Sequence, residues 1–131
     1  MIILDSSAAA DVTLGFEPNA SWVADRLTED PDPHAPFVID AEVLGVVRKS
    51  VLDGIVPLEW GEDALVSFLD LPIIRYPHLP FLPRAWELRE NFHAPDALFV
   101  ALAEELDAPL VTTDIRLARA PGHRARIVSP G

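Results

Sequence analysis

The strongest constraint on the fold is the alternation of short apolar runs with longer segments that have helical spacing. The runs are three or four residues long, and the segments between them place apolar residues three and four apart. Most of the 13 prolines fall between these segments, as expected of a residue that breaks helices and central strands. Strands that alternate with helices form a parallel sheet with helices on both faces. We therefore expect a single α/β domain over residues 1–131, built on about five strands.

A change of pattern marks each boundary between predicted elements. The predicted strands are Met1–Leu4, Phe37–Ile39, Ile73–Tyr76, Leu110–Thr113 and Arg126–Ser129. The predicted helices are Ser7–Leu14 with Ser6 or Ser7 near its cap, Asn19–Leu27, Asp40–Leu52, one opening at Pro57, Arg84–Phe92, Pro95–Leu106 and Ile115–Ala120. Residues 29–36 and the segment around Pro80 and Pro83 are predicted to be irregular. The large side chains expected to pack inward include Trp22, Trp60, Leu69 and Trp86.

Composition excludes several classes of protein. A net charge of −11 argues against holding nucleic acid by bulk attraction, since such proteins usually present a basic surface. The absence of cysteine excludes disulfides, a thiol nucleophile and Cys-ligated metals. There is no Gly-x-Ser-x-Gly, no glycine-rich phosphate loop and no His-x-x-x-His pair. The chain opens without a signal peptide and its longest apolar run, Ala97–Ala103, is short, so we expect a cytoplasmic protein without membrane contact.

Acidic residues follow the predicted strands, where ligands of open parallel sheets bind. Asp5 follows the first strand, Asp40 and Glu42 the second, and Asp114 the fourth, while Asp96 lies in the first turn of a helix. Each alone could cap a helix or face its dipole, which is worth about 0.3–1 kcal/mol. Two carboxylates about 5 Å apart repel by about 3 kcal/mol at an effective dielectric near 20. If the acids do converge, they favour a divalent cation such as Mg²⁺ or Mn²⁺.

Four motifs appear in order along the chain: Ile3–Ala8, Asp40–Val43 followed by Arg48, Pro95–Glu104, and Leu110–Leu117. In these motifs the chain resembles, essentially from end to end, the PIN-domain endoribonucleases, and most closely the VapC toxins of VapBC toxin–antitoxin pairs. The resemblance implies a PIN-like three-layer α/β fold with helices on both faces of a central parallel sheet. It also implies a metal-dependent endoribonuclease that hydrolyses RNA phosphodiester bonds.

The resemblance further implies one acidic site that holds one or two Mg²⁺ or Mn²⁺ ions. Its implied ligands are Asp5, Glu42, Asp96 and Asp114. Thr112 and Ser6 are implied to support them, Thr112 by a hydroxyl contact. Asp40 has no firm place in the motif and is expected to cap its helix or to stand beside the site. Water is the expected nucleophile, and Glu42 or Asp96 the expected acceptor of its proton.

Substrate contacts are less well defined by the sequence. Arg116, two residues after Asp114, is the leading candidate for an RNA contact. Weaker candidates are Arg48, Lys49, Arg89 and, as a base-stacking side chain, Trp86. Three positions depart from the family pattern: Pro95 and Phe99 stand where tyrosine is frequent, and Gly45 where a polar residue is frequent. None of these changes removes an acid, so metal binding is still expected.

The resemblance implies three partners: RNA, a cognate VapB-type antitoxin, and a second copy of the chain in a homodimer that assembles further with the antitoxin. The antitoxin is expected to wrap the toxin with its C-terminal segment and to place a basic side chain at the acidic site, which the negative charge favours. An apolar face expected to contribute to the homodimer includes Val43, Val47, Trp60 and Leu65.

Two alternatives remain open. The chain could be a non-catalytic PIN-like binding module. It could also be a Mg²⁺-dependent domain that forms an aspartyl phosphate, as receiver domains and haloacid-dehalogenase-like phosphatases do. The second alternative is disfavoured because the only lysine, Lys49, lies early in the chain and because Asp5 is followed by Ser6-Ser7 instead of x-Asp.

Overall fold

The computed structural model describes residues 1–131. Its strands are β1 (Ile2–Leu4), β2 (Pro33–Pro36), β3 (Ile74–Tyr76), β4 (Leu110–Val111) and β5 (Ile127–Val128). They form one parallel sheet in the order β3-β2-β1-β4-β5. The chain builds outward from β1 to β3 and then crosses back to lay β4 on the other side of β1. Strand order therefore reverses between β1 and β4, where a crevice opens beyond the carboxyl ends of the strands.

Seven helices cover the sheet. They are α1 (Ser6–Leu14), α2 (Asn19–Glu29), α3 (Val38–Leu52), α4 (Leu58–Asp70), α5 (Leu82–Glu87), α6 (Ala94–Leu106) and α7 (Ile115–Arg119), with a 3₁₀ turn at Leu79–Phe81. Helix α6 packs on β1, β2 and β4, and α1 to α4 pack against one another as a separate layer. The α/β architecture expected from the sequence is confirmed.

The core is centred on β1 and α6. Every residue of β1 is buried, because this strand has a neighbour on each side and helices on both faces. In α6 all seven residues of the run Ala97–Ala103 are buried, as expected of a helix that is apolar all round. This run packs in the interior of the domain. No helix in the structure combines the length and the apolar character that crossing a bilayer demands.

The second strand was predicted in the wrong place. It runs from Pro33 to Pro36, inside the predicted loop, and the predicted strand Phe37–Ile39 is a turn followed by the start of α3. Prolines disfavour central strands because they cannot donate to the ladder. Here the two prolines stand at the ends of β2, and Phe37 N–H continues the ladder by donating to Tyr76 O at 2.9 Å.

The proline-rich segment was also predicted wrongly. Instead of being irregular it forms the 3₁₀ turn and α5, with Pro83 in the first turn of that helix, where a missing N–H costs nothing. The predicted helix Arg84–Phe92 accordingly ends at Glu87. At the start of the chain, Asp5 caps α1, and Ser6 is the first residue of the helix, next to that cap as expected.

Some large side chains predicted to be inside lie on the surface. Leu69 is 77% exposed and Trp86 is 68% exposed. Trp60 is also half exposed, although its Nε1 donates to Leu14 O at 2.7 Å. The spacing of apolar residues along a helix did not show which of them would be buried. In α4, the neighbouring helices leave part of the apolar stripe uncovered.

Candidate active site

A cavity of about 370 Å³ opens beyond the carboxyl ends of β1 and β4. The four acids that the sequence singled out all line it: Asp5, Glu42, Asp96 and Asp114. They come from four separate elements, since Asp5 follows β1, Glu42 lies on α3, Asp96 lies in the first turn of α6 and Asp114 caps α7. The reversal of strand order brings these distant parts of the chain together.

Asp5 is the buried member of the set. It is 3% exposed, and its Oδ1 accepts hydrogen bonds from Ala8 N–H and Ser7 Oγ, each at 2.9 Å. Its Oδ2 accepts the hydroxyl hydrogen of Thr112. Burial raises the pKa of Asp5 to about 7, the hydrogen bonds from Thr112, Ala8 and Ser7 oppose the rise, and the nearby charge of Asp96 adds to it.

Hydroxyl groups tie the ends of β1 and β4 together. Thr112 is fully buried, and while it donates to Asp5 its Oγ1 accepts Asp114 N–H at 3.0 Å. Ser7 Oγ donates to Asp5 and accepts Thr113 N–H at 3.2 Å. The hydroxyl contact expected of Thr112 is therefore present in the structure. Ser7 was predicted only to lie near the cap of its helix and not to belong to the site, although a hydroxyl residue just after an acidic helix cap is the available signal.

The other three acids are more accessible. Ser6 Oγ donates to Glu42 Oε1 at 2.6 Å, and Asp114 Oδ1 accepts Arg116 N–H at 2.9 Å as the cap of α7. The pKa of Asp96 is raised, first by partial burial and then by the charges of Glu42 and Asp114, against the opposing effect of His93 and Arg116. Mutual repulsion of the acids is thus part of the electrostatics of this cavity.

Almost no positive charge compensates these acids. Lys49 is the only basic residue among those that line the cavity, and its Nζ lies 2.6 Å from Asp53 Oδ2. As the side chains stand, no three Asp, Glu or His residues are arranged to hold a metal ion, and Glu42 and Asp114 bond to Ser6 and to the start of α7. The donor set, carboxylate oxygens with little basic competition, nevertheless fits the preference of Mg²⁺ and Mn²⁺.

Apart from Thr112, the candidates that do not line the cavity are Asp40, Arg48, Trp86, Arg89 and Arg116. Asp40 is paired with Arg75, whose Nη2 lies 2.8 Å and Nε 2.9 Å from Asp40 Oδ1. Arg89 lies over the ring of Trp86, 4.5 Å from its centroid. Arg116 stands at the edge of the acids and is 92% exposed, with its Nε 3.8 Å from Asp114 Oδ1.

The three departures from the family pattern have different surroundings. Pro95 lies in the first turn of α6, and Phe99 is 1% exposed, so this ring packs in the core and does not face a substrate. Gly45 lines the cavity, and a Cβ added there would meet nothing within 4 Å. A polar residue at that position would occupy cavity space, which is open in this chain.

Residues 2–123 match the model of the PIN domain family. Among curated proteins, the chain is 42% identical over 127 residues to Ribonuclease VapC12 of Mycobacterium tuberculosis, covering 97% of each. It is 40% identical over 121 residues to Ribonuclease VapC1 of the same species, covering 92% of this chain and 90% of the relative.

Two solved structures share the fold. VapBC2 from Rickettsia felis, bound to a DNA fragment from their promoter, matches with a TM-score of 0.70 at 20% identity over the full length of both chains. Mycobacterium tuberculosis VapC20, described as a sarcin-ricin loop cleaving toxin, matches with a TM-score of 0.65 at 14% identity over 90% of this chain and 93% of that one. At these identities the likeness concerns the fold alone.

Proposed function

The chain belongs to the PIN domain family and, within it, to the VapC ribonucleases, and on that premise we propose that it is the toxin of a VapBC pair and a Mg²⁺- or Mn²⁺-dependent endoribonuclease. The observation that carries the proposal is the cavity on which carboxylates from four separate elements meet where strand order reverses. In open parallel sheets that position is where ligands bind.

Asp5, Glu42, Asp96 and Asp114 would hold the cation. A divalent cation there supplies Lewis-acid stabilisation of the negative charge that develops on a scissile phosphate. The protein contributes prearranged oxygens, because Thr112 and Ser7 hold Asp5 and because Ser6 holds Glu42. Burial of Asp5 penalises its ionised form, so this carboxylate gains most from a cation at the cavity.

Water is the proposed nucleophile. Ser6 and Ser7 donate to Glu42 and Asp5, and their proposed role is to position these two carboxylates. Either Glu42 or Asp96 accepts the proton of that water, since both line the cavity and both are less buried than Asp5.

The experiment compares two acids on the same helix. Purified protein, Asp96→Asn and Glu105→Gln are incubated with a structured RNA in Mn²⁺, in Mg²⁺ and in chelator. Wild type and Glu105→Gln cut the RNA only with a cation, and Asp96→Asn loses about a hundredfold or more of the rate. Equal rates for the two variants would show that the assigned site is wrong, and cleavage in chelator would show that the reaction needs no metal.

The antitoxin is assigned to an apolar groove between α3 and α4. The groove measures about 320 Å³ and is lined by exposed leucines, among them Leu44, Leu52 and Leu58. It adjoins the acidic cavity along α3, where the cavity residues Gly45 and Val46 stand between the groove residues Leu44 and Val47. An amphipathic helix with a basic flank fits both surfaces, and the net charge of −11 favours such a partner.

Binding to the co-expressed VapB-type antitoxin tests this assignment. Leu52→Asp lies in the groove and weakens the complex, whereas Leu69→Asp, on the exposed part of α4 outside the groove, leaves it intact. Equal affinity of the two variants for the antitoxin would contradict the assignment. We expect the pair to act in the cytoplasm, where RNA is available.

The homodimer remains part of the proposal, but its expected surface changes. Val43 is fully buried and Val47 is 3% exposed, so both belong to the core and offer little surface to a second copy. Trp60 is 47% exposed and remains available to a second copy, whereas Leu65 lines the groove assigned to the antitoxin. Light scattering on the purified chain and on its antitoxin complex measures the stoichiometry directly.

The two alternatives, a non-catalytic binding module and a domain that forms an aspartyl phosphate, predict different experimental results. A non-catalytic binding module shows no acid-dependent Mn²⁺ binding in calorimetry. An aspartyl-phosphate domain forms a stable phosphoryl adduct at Asp5 with a small phosphodonor, but here the ammonium group of Lys49 is paired with Asp53 and hydroxyls occupy both oxygens of Asp5.

A further inference from the structure

A second, smaller cavity adjoins the acid-lined one on the side of α7. It measures about 130 Å³ and shares two walls, Asp96 and Asp114, with its neighbour. Its other polar walls are Asn91, His93 and Arg116. A group that enters it lies beside two of the four proposed metal ligands, so it lies next to the bond that would be cut. We call this space the side cavity.

The back of the side cavity is built by close packing. Gly122 has a φ of +93°, and the amide nitrogen of Asn91 lies only 2.7 Å from the place where a Cβ on Gly122 would stand. The ring of Phe92 is 7% exposed and packs edge-on against His123, with centroids 5.7 Å apart. The Asn91 amide therefore lies against Gly122, where a side chain on residue 122 would collide with it, and the neighbouring Phe92 anchors this stretch of the chain in the core.

The residues that line the side cavity favour an uncharged ligand group. Two carboxylates at the shared edge repel a phosphate, while the Asn91 amide offers both donors and an acceptor and the Arg116 guanidinium offers five donors. Ligand pockets usually have about 300–1,000 Å³, so a cavity of about 130 Å³ holds a single planar group. Proteins read unstacked RNA bases with such side chains, by hydrogen bonds to the base edges and by stacking on arginine.

We propose that the side cavity receives one unstacked nucleobase of the RNA, next to the scissile phosphate, and that Asn91 and Arg116 read its edge. The inference rests on the proposed ribonuclease function and gives that site a sequence preference. It makes Asn91 and Arg116 determinants of where the RNA is cut, with no part in the chemical step.

The first test measures binding without activity. Metal-free protein labelled with ¹⁵N is titrated with adenosine, guanosine, cytidine and uridine, with ribose and inorganic phosphate as the control ligands. The side-chain signals of Asn91 and Arg116 shift saturably, with affinities that differ between bases, and the Arg119 side chain on the same helix does not respond. Absent shifts, or shifts that phosphate or ribose reproduces, would overturn the proposal.

The second test maps cut sites in a random-sequence RNA pool for wild type and four variants. Asn91→Asp keeps the shape of the side chain but replaces its donors, and Arg116→Ala removes the guanidinium. Both change the base preference at one position beside the cut by about fivefold or more. The matched controls Glu90→Gln and Arg119→Ala keep the wild-type preference. A uniform loss of rate with unchanged preference in the two cavity variants would contradict the reading of a base.

The two tests separate this inference from the proposed function. If wild type does not cut RNA, or if Asp96→Asn cuts as fast as wild type, the proposed function fails while the nucleoside titration still decides the role of the side cavity. If cutting depends on Asp96 and on the cation but the titration shows no binding, the function stands and the base-reading role is rejected.

Discussion

Helix α6 carries a partly buried acid near each end, and the pKa of the first is raised whereas the pKa of the second is lowered. Near its start, Asp96 stands among other carboxylates, and burial together with the charges of Glu42 and Asp114 raises its pKa. Near its end, Glu104 has a side chain that is 3% exposed, and its Oε1 accepts Arg84 Nε–H at 2.7 Å. Burial would raise the pKa of Glu104, but the hydrogen bonds from Arg84 and from Arg124 N–H lower it.

This difference in pKa and in basic partners distinguishes acids with a structural role from acids proposed to bind a ligand. A buried carboxylate is costly unless it is paired and hydrogen-bonded, and Glu104 meets that condition within the chain, as Asp40 does with Arg75 at the surface. The acids around Asp96 gain hydroxyl and backbone contacts but hardly any basic partner. Perturbed carboxylates with little basic compensation, gathered in one cavity, are the observation that supports the proposed cation site.

The largest expected effect is on the rate of RNA cleavage, and it distinguishes two acids of α3. Glu42→Gln removes a proposed cation ligand and lowers RNA cleavage by about a hundredfold or more. Asp40→Asn breaks only the exposed pair with Arg75 and leaves the rate within about twofold, since such pairs contribute about 0–1 kcal/mol. Initial rates in Mn²⁺ measure both. Similar losses in the two variants would remove the distinction between paired and unpaired acids.

The next effect concerns stability at the other end of α6. Glu104→Gln lowers the free energy of unfolding by about 2 kcal/mol at pH 7, a value reduced from that of a fully buried pair because Arg84 is 25% exposed. The folded-state pKa of Glu104 lies below its ordinary 4.5, so its contribution is present above that pH and is lost as pH falls through the folded value. Urea unfolding at pH 7 and pH 3 therefore shows a stability difference between variant and wild type that is smaller in acid.

The smallest expected effect is a gain in the free energy of unfolding, opposite in sign to the effect of Glu104→Gln. In chelator, Asp5→Asn raises the free energy of unfolding by about 1 kcal/mol at pH 8, because it replaces a buried carboxylate whose ionisation opposes folding. The folded-state pKa near 7 lies above the ordinary 3.8, so wild type loses stability as pH rises from about 4 to about 7. The advantage of the variant shrinks as pH falls below 7. A destabilised variant at pH 8 would show that the hydrogen bonds of Asp5 outweigh its burial.

Sequence reasoning located the acids but not what compensates them. The rule that ligands bind beyond parallel strands, together with the four motifs, pointed to Asp5, Glu42, Asp96 and Asp114, and the structure brings these residues to one cavity. It does so although β2 was misplaced, because Glu42 lies on α3 whether that helix starts at Val38 or at Asp40.

Pairings between distant residues could not be predicted. Arg84 reaches Glu104 across 20 residues, and Arg75 reaches Asp40 across 35, through packing that no local pattern encodes. The same holds for Ser7, whose hydroxyl joins the ends of β1 and β4. The exposure of Trp86 likewise depends on which helices cover α5, and a helical repeat of apolar residues does not contain that information.

Calorimetric titration with Mn²⁺ tests the central claim most directly, because it asks whether the unpaired acids bind a cation before any RNA is present. Wild type and Asp40→Asn should bind Mn²⁺ saturably with the same affinity, and Asp96→Asn should lose at least tenfold in affinity, equivalent to about 1.4 kcal/mol. Absence of binding to wild type, or equal binding to Asp96→Asn, would contradict the assignment of this cavity as a divalent-cation site.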